Sequence, residues 1–331
     1  MQPVLAFLLS GTVVVVAGSV LARMADAISE HTGLGRLWVG AVLLAAATSL
    51  PELATDVAAV RIGAPDLAVG DLFGSSLANM LILALIDLLL PRRRLFGEAA
   101  FDHALSACLA IVLNAAAALF VLARMQVVLG GVGLESAALL ATYVAGTRAV
   151  YRQSVRRAAA GDRPVRETAG PVPTLGRAIL GFSAAAAAIL VASPVLARSA
   201  EWIARATGLG TSFVGTWLVG LATSLPELVS SVAAVRLGAY DLAVGNLFGS
   251  NGFNMAILFA LDVVHPGGPI LAAVEPVHAL SGLLAVVLMS LGLAAIVYRA
   301  ERRFAFVEPS SVAMVGVYVL GLLLLYMRAA G

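Results

Sequence analysis

One segment of the sequence occurs twice, at a constant separation of 175 residues. Residues 48–87 and 223–262 align without a gap and are identical at 27 of 40 positions. Each copy opens with Thr-Ser-Leu-Pro-Glu, beginning at Thr48 and again at Thr223, and places a glutamate and a proline inside a long apolar run. Any fold of this chain must therefore contain two equivalent halves, each with a polar interruption in an apolar segment.

The composition indicates that the chain is surrounded by lipid. Of its 331 residues, 61% are hydrophobic and 12% are charged, whereas soluble proteins carry roughly 25% charged residues. Apolar runs of about 20 residues are each long enough to cross a bilayer. Ten such spans are predicted, at 4–29, 38–61, 68–90, 102–123, 127–150, 176–204, 213–237, 243–264, 274–298 and 310–328. The sequence therefore predicts an all-α polytopic membrane protein with ten transmembrane helices.

The repeat divides these spans into two groups of five. The predicted halves are 1–151 and 176–331, joined by a basic cytoplasmic linker at 152–175. Because five is odd, the halves must cross the membrane in opposite directions, as inverted repeats. Sixteen of the 21 arginines fall on one predicted side, and arginine-rich loops remain in the cytoplasm. We therefore expect a multi-pass protein of the cell (inner) membrane with both termini extracytoplasmic.

A proline interrupts one predicted span in each half. Pro51 and Pro226 have no N–H to donate, so the carbonyls of Ala47 and Ala222, four residues earlier, lose their helical partner. Each helix should therefore bend or break at this point. A broken helix at membrane depth is tolerated only beside protein or a water-filled cavity. Each break is thus predicted to face an internal site.

Polar side chains surround both breaks. Ser49 and Glu52 have the spacing of a capping box, which would start the second half-helix. The next span supplies Ser75 and Asn79, which share a helical face because they are four residues apart. The candidate ligands of the first half are Ala47, Thr48, Ser49, Glu52, Ser75 and Asn79, and those of the second half are Ala222, Thr223, Ser224, Glu227, Ser250 and Asn254.

These candidate ligands are all oxygen donors, or can present an oxygen. No cysteine or histidine belongs to the set, which disfavours zinc and copper, whereas oxygen ligands suit Ca²⁺, and Na⁺ if several ions share the site. Each buried carboxylate costs roughly 2.5–3.5 kcal/mol on insertion scales, and two of them repel one another. Cations or protons must relieve this cost, and competition between them for one site is the basis of ion antiport. The residues alone do not determine which ions are exchanged.

At these residues the sequence resembles the sodium/calcium exchanger family of the cation/calcium exchanger superfamily. The motifs of that family are G-T-S-x-P-E and G-S-N-x-F-N, which stand here as Ala47–Glu52 and Gly249–Asn254. The motif's leading glycine is alanine at both 47 and 222, and the first half has lost the inner Asn and Phe of the second motif. The resemblance covers essentially the whole chain.

The resemblance implies exchange of three Na⁺ for one Ca²⁺, with alternating access by sliding of the first and sixth spans. Glu52 and Glu227 would be the central carboxylates that both ions share, and Asn79 and Asn254 would line the middle of the site. Amides at both positions argue against a K⁺ requirement. Thr48, Ser49, Thr223 and Ser224 would contribute hydroxyl or backbone oxygens. The carbonyls of Ala47 and Ala222, together with Ser75 and Ser250, would complete flanking Na⁺ sites.

Na⁺/Ca²⁺ antiport is therefore the predicted function, and antiport of Ca²⁺ or another divalent cation against H⁺ is the alternative. A passive cation channel is less favoured. An intramembrane hydrolase is disfavoured because no nucleophile elbow or Ser/His pair is identifiable. We expect no enzymatic activity, no cofactor, no nucleic-acid partner and no obligate protein partner, with Ca²⁺, Na⁺ and the lipid bilayer as the interacting species.

Several acidic and histidine residues lie outside this set. Asp71 precedes Ser75 by four residues, and its counterpart is the neutral Asn246, so a role for Asp71 on the ion path stays open. The others are predicted to be helix N-caps or groups at the membrane interface: Asp66 and Asp241 as caps, and Asp87, Asp262, His103 and His278 as interfacial residues.

Overall fold

The structure, a computed structural model, describes residues 2–89, 103–159, 172–206, 223–298 and 309–330. Within these ranges the chain is almost entirely helical. The first half contains α1 (Gln2–Thr32), α2 (Gly35–Trp38), a π-helix (Val39–Leu44), α3 (Ala45–Thr48), α4 (Leu50–Arg61), α5 (Pro65–Leu89), α6 (His103–Ala123) and α7 (Leu134–Ala159). The second half contains α8 (Leu175–Ala206), α9 (Leu225–Arg236), α10 (Tyr240–Val264), α11 (Ile270–Ala273), α12 (His278–Tyr298) and α13 (Pro309–Ala330).

The polytopic helical architecture is confirmed. Seven helices in the described ranges are long and apolar enough to cross a membrane, and the bent pair formed by 35–48 and 50–61 makes an eighth. The predicted span at 127–150 falls on a helix that is not among these eight, and the one at 213–237 lies partly outside the described residues, since the structure resumes at Thr223. The count of ten transmembrane helices therefore stays a prediction.

The predicted span at 127–150 is wrong at both ends. Val128–Leu129 pairs antiparallel with Val132–Gly133, and the helix begins only at Leu134. Gly130 and Gly131 connect the strands with φ values of 61° and 90°, which suit a two-residue hairpin turn. The helix then continues to Ala159, through the first residues of the predicted linker, and residues 160–171 of that linker lie outside the described ranges.

Helices α5 and α10, which follow the two proline breaks, form the centre of the molecule. Of the residues in their apolar stretches, 78% and 72% are buried inside the protein, against 28% and 33% for α1 and α8. Helices α5 and α10 pack against each other, α10 also packs against α6, and α5 also packs against α12. Helices α1 and α8 pack against each other at the periphery. The α1–α8 pair reaches the centre through α9 and α4.

Two buried carboxylates fasten the ends of the central helices. The Ser311 hydroxyl donates to Asp87 over 2.8 Å, and the Ser136 hydroxyl donates to Asp262 over 2.6 Å. The two pairs are related by the 175-residue offset, and the carboxylates are only 3% and 2% exposed. Hydrogen bonds within the protein allow these side chains to be buried, and their predicted location at the membrane interface stays a prediction.

The two histidines also pair with acidic residues of the opposite half. His103 Nε2 lies 2.9 Å from Asp241 Oδ1, and His278 Nε2 lies 3.0 Å from Asp66 Oδ1. Asp66 and Asp241 each stand at the second position of their helix and not before it, so they are not the predicted N-caps. These pairs join α6 to α10 and α12 to α5.

Candidate ion-binding site

Both prolines interrupt their segments as predicted. Helix α3 ends at Thr48, Ser49 takes the non-helical values φ −91° and ψ 5°, and α4 starts at Leu50 after a bend of 42°. In the second half Ser224 has φ −83° and ψ 8°, directly before α9. Pro51 cannot donate a hydrogen bond to the Ala47 carbonyl, so that oxygen is free of its normal helical partner. Ala222 lies outside the described residues.

The predicted capping box does not form. Ser49 makes no side-chain bond to the start of α4, and its hydroxyl instead donates to Glu227 Oε1 over 3.3 Å. The Ser49 hydroxyl therefore forms a hydrogen bond between the two halves of the molecule. Ser224 likewise makes no cap bond, and its Oγ has no partner at all.

Glycines on α10 bring the first break against the second half. A Cβ atom on Gly245 would lie 3.0 Å from the Ala41 nitrogen, and one on Gly249 would lie 2.6 Å from the Ala41 Cα. Only glycine permits this approach of α10 to the π-helix. As a result Thr48 Oγ1 lies 3.3 Å from Asn246 Oδ1 and 3.4 Å from Ser250 Oγ.

The two glutamates face each other in the interior. Glu52 is 2% exposed and Glu227 is 1% exposed, and their carboxylates lie within electrostatic range of one another. Each retains one carboxylate oxygen, Oε2, without any hydrogen-bond partner. Two such charges repel in an apolar interior, so this arrangement is stable only when protons or cations neutralise it.

Six of the twelve predicted ligands present a buried oxygen without a partner. Buried polar groups are normally hydrogen-bonded, so these unpaired oxygens are available to bind a ligand. The six atoms are Glu52 Oε2, Ser75 Oγ, Asn79 Oδ1, Ser224 Oγ, Glu227 Oε2 and Asn254 Oδ1. In the described part of the chain, no three or more His, Cys, Asp or Glu side chains are grouped so that they could hold a metal ion. A cation at this site must therefore be coordinated largely by neutral oxygens.

The other predicted ligands are bonded or lie at the edge of the described ranges. Thr48, Ser49 and Ser250 hydrogen-bond to partners in the opposite half, and Ala47 is buried with 4% exposure. Thr223 is half-buried at the first residue of its described range. The structure thus brings Thr48 and Ser49 of the first half against Ser250 and Glu227 of the second half.

Sequence reasoning missed Asn251, which orients one of these amides. Asn79 Nδ2 donates to Asn251 Oδ1 over 2.9 Å, and Asn251 Nδ2 donates to the Ser76 carbonyl over 3.2 Å. Asn114 Nδ2, from α6, donates to the Asn251 carbonyl over 3.2 Å. Because its amino group is occupied, Asn79 can turn only its oxygen toward a cation. Ser76 is the 175-residue counterpart of Asn251, and contact between counterparts marks the pseudo-twofold axis.

Known proteins resemble this chain along most of its length. The sequence model of the family described as "Sodium/calcium exchanger protein" matches residues 2–151 and 177–327. Inner membrane protein YrbG of Escherichia coli (strain K12) is 28% identical over 79% of this chain and 80% of its own length. Sodium/calcium exchanger MaX1 of Methanosarcina acetivorans is 28% identical over 77% of this chain and 81% of its own length.

A solved structure has the same fold. The sodium-calcium exchanger NCX_Mj, soaked with 10 mM Na⁺ and zero Ca²⁺, superposes with a TM-score of 0.72 at 20% sequence identity. The alignment covers 97% of each chain. The likeness therefore extends to both halves of the molecule.

Proposed function

The chain belongs to the sodium/calcium exchanger protein family, and we propose that it exchanges Na⁺ for Ca²⁺ across the membrane at the site between Glu52 and Glu227. The observation that carries the proposal is that six of the predicted ligands, including both glutamates, each present a buried oxygen without a hydrogen-bond partner. The site is built for a cation, and it takes ligands from both halves.

Ca²⁺ binds centrally, where the two carboxylates neutralise its charge. It prefers six to eight oxygen ligands in flexible geometry, and the amide oxygens of Asn79 and Asn254 supply further neutral donors. Na⁺ ions use the same carboxylates together with hydroxyl and carbonyl oxygens on either side, among them Ser75 and Ser224. Because both ions need Glu52 and Glu227, they exclude one another, and this competition couples their movements.

Access alternates when the peripheral helices slide along the central ones. Helices α1 and α8 pack on each other, and they touch the site-bearing segments through α9 and α4. Sliding of this pair exposes the site first to one side of the membrane and then to the other. The arginine distribution supports an orientation with both termini extracytoplasmic, and exchange requires no cofactor beyond the two ions.

Ca²⁺ uptake into proteoliposomes tests the choice of ions. We expect an outward Na⁺ gradient to drive uptake, and a pH gradient of the same magnitude without Na⁺ to leave it at background. Uptake driven only by the pH gradient would instead identify a Ca²⁺/H⁺ antiporter. Sustained single-channel current in a planar bilayer, without any counter-ion, would identify a passive channel.

A further inference from the structure

The two copies of the repeat differ in charge at only two positions. Among the 40 aligned residues, Asp56 stands opposite Ser231 and Asp71 stands opposite Asn246, while every other difference leaves the charge unchanged. Both acidic residues belong to the first half. The central site is thus flanked by two additional carboxylates on one side and by neutral side chains on the other.

The two aspartates occupy matching places on neighbouring helices. Asp56 follows Glu52 by one turn on α4, and Asp71 precedes Ser75 by one turn on α5. Helices α4 and α5 are joined by the turn at 62–64 and pack against each other. Both aspartates are therefore displaced from the central site by one helical turn, about 5.4 Å, toward that turn.

The equivalent pair in the second half is held by hydrogen bonds. Asn246 Nδ2 donates to Ser231 Oγ and to Ser230 Oγ, each over 3.1 Å. Two carboxylates cannot form such a bond with each other, since neither has a donor when ionised. The first half therefore lacks the contact that satisfies its counterpart.

Asp56 is buried without a partner. Its side chain is 2% exposed, and Oδ2 has no hydrogen-bond partner. The Asp71 carboxylate lies within electrostatic range of Asp56 and of Glu52, and it is partly exposed. A buried, unpaired carboxylate beside a second one is costly unless a proton or a cation neutralises the pair.

We propose that Asp56 and Asp71 bind a second divalent cation, one helical turn from the central site. Given the exchange proposed above, on which the identity of the ion rests, this ion is a partly hydrated Ca²⁺. Water completes its coordination, because two carboxylates supply fewer oxygens than Ca²⁺ requires. The ion binds on the path between the central site and the membrane face that carries the 62–64 turn. At the equivalent positions of the second half stand the neutral Ser231 and Asn246.

A count of bound Ca²⁺ tests the proposal directly. The purified protein in Na⁺-free, K⁺-free choline buffer would be titrated with ⁴⁵Ca²⁺ in equilibrium dialysis. We expect two ions per chain in the wild type and one ion in the double variant Asp56→Ser/Asp71→Asn. These substitutions install the residues of the second half, which already form a hydrogen bond there, so the fold should tolerate them. The single variants Asp56→Asn and Asp71→Asn should each bind one ion as well.

A transport measurement follows the same variants. In proteoliposomes the double variant should need roughly tenfold or more Ca²⁺ for half-maximal uptake from the face with the 62–64 turn, and the same concentration as the wild type from the other face. One bound ion in the wild type, unchanged in the double variant, would overturn the proposal and leave the pair as protonated structural groups. Since the ion count involves no gradient, it decides this question even if Na⁺ does not drive exchange.

Discussion

Replacing Glu227 by glutamine removes one central charge while the size of the side chain is kept. Glu227 is 1% exposed, and its Oε1 accepts the hydrogen bond from Ser49. The amide oxygen of glutamine can still accept that bond. The change therefore isolates the charge from the packing and from the contact between the halves.

The expected effect has two parts of opposite sign. Without cations, the variant should be at least as stable as the wild type, since a buried carboxylate costs roughly 2.5–3.5 kcal/mol in a membrane segment. With Ca²⁺ at 100 times its dissociation constant, the wild type should gain about 2.7 kcal/mol from binding to the folded state. The variant should lose the part of this gain that comes from the central site, because only Glu52 still opposes the charge of the ion there.

Thermal unfolding in detergent, with and without Ca²⁺, measures both parts, and ⁴⁵Ca²⁺ uptake in proteoliposomes measures transport. Glu135→Gln is the matched control, because Glu135 is also 2% exposed but lies at the start of α7, away from both breaks. The control should keep the full stabilisation by Ca²⁺, and the variant should lose the stabilisation contributed by the central site together with uptake. Full Ca²⁺ stabilisation in Glu227→Gln and in Glu52→Gln would refute a shared site.

Four further outcomes follow from the site and its packing. Asn254→Asp adds a third carboxylate, so Ca²⁺ should bind more tightly in dialysis; weaker binding would place this residue away from the ion. Asn251→Ala frees the amide of Asn79, and a loss of about 1–3 kcal/mol should weaken apparent Ca²⁺ affinity at least fivefold in uptake assays. Gly249→Leu should abolish the monodisperse peak in size-exclusion chromatography, because the side chain collides with the π-helix, whereas Gly316→Leu, with no described neighbour within 4 Å of its Cβ, should elute normally. Acid should lower the apparent Ca²⁺ affinity, since protons compete for ligands that must be ionised; a flat pH profile would contradict carboxylate ligation.

The helix breaks were predictable because they depend on covalent chemistry. The proline of each repeat removes an N–H from its segment, and the non-helical residues Ser49 and Ser224 stand two positions before it, although α8 continues through Pro194. The pairing of both glutamates was also predictable, since the repeat and its odd number of spans imply a pseudo-twofold arrangement. These expectations needed no knowledge of side-chain packing.

The details that failed depend on contacts between distant segments. Ser49 has the local pattern of a cap, but the pattern cannot show that Glu227 competes for its hydroxyl. Asn251 belongs to the motif at Gly249–Asn254, but that motif does not show its contact with Asn79. The contact exists only because α5 and α10 cross at the pseudo-twofold axis. The hairpin at Gly130 and Gly131 was not predicted, because the apolar residues around it resemble the start of a membrane span.

The π-helix at 39–44 has a consequence for how this sequence can change in length. A π-turn closes its hydrogen bonds over one more residue than an α-turn, and it can arise from a single inserted residue. Deleting one residue from 39–44 would tighten the π-turn into an α-turn and leave everything after it at nearly the same rotation, because the π-turn holds its extra residue within one full turn. Thr48 and Ser49 would then still point toward Ser250 and Glu227. The length of this segment is therefore less strictly fixed than the identity of the residues it positions.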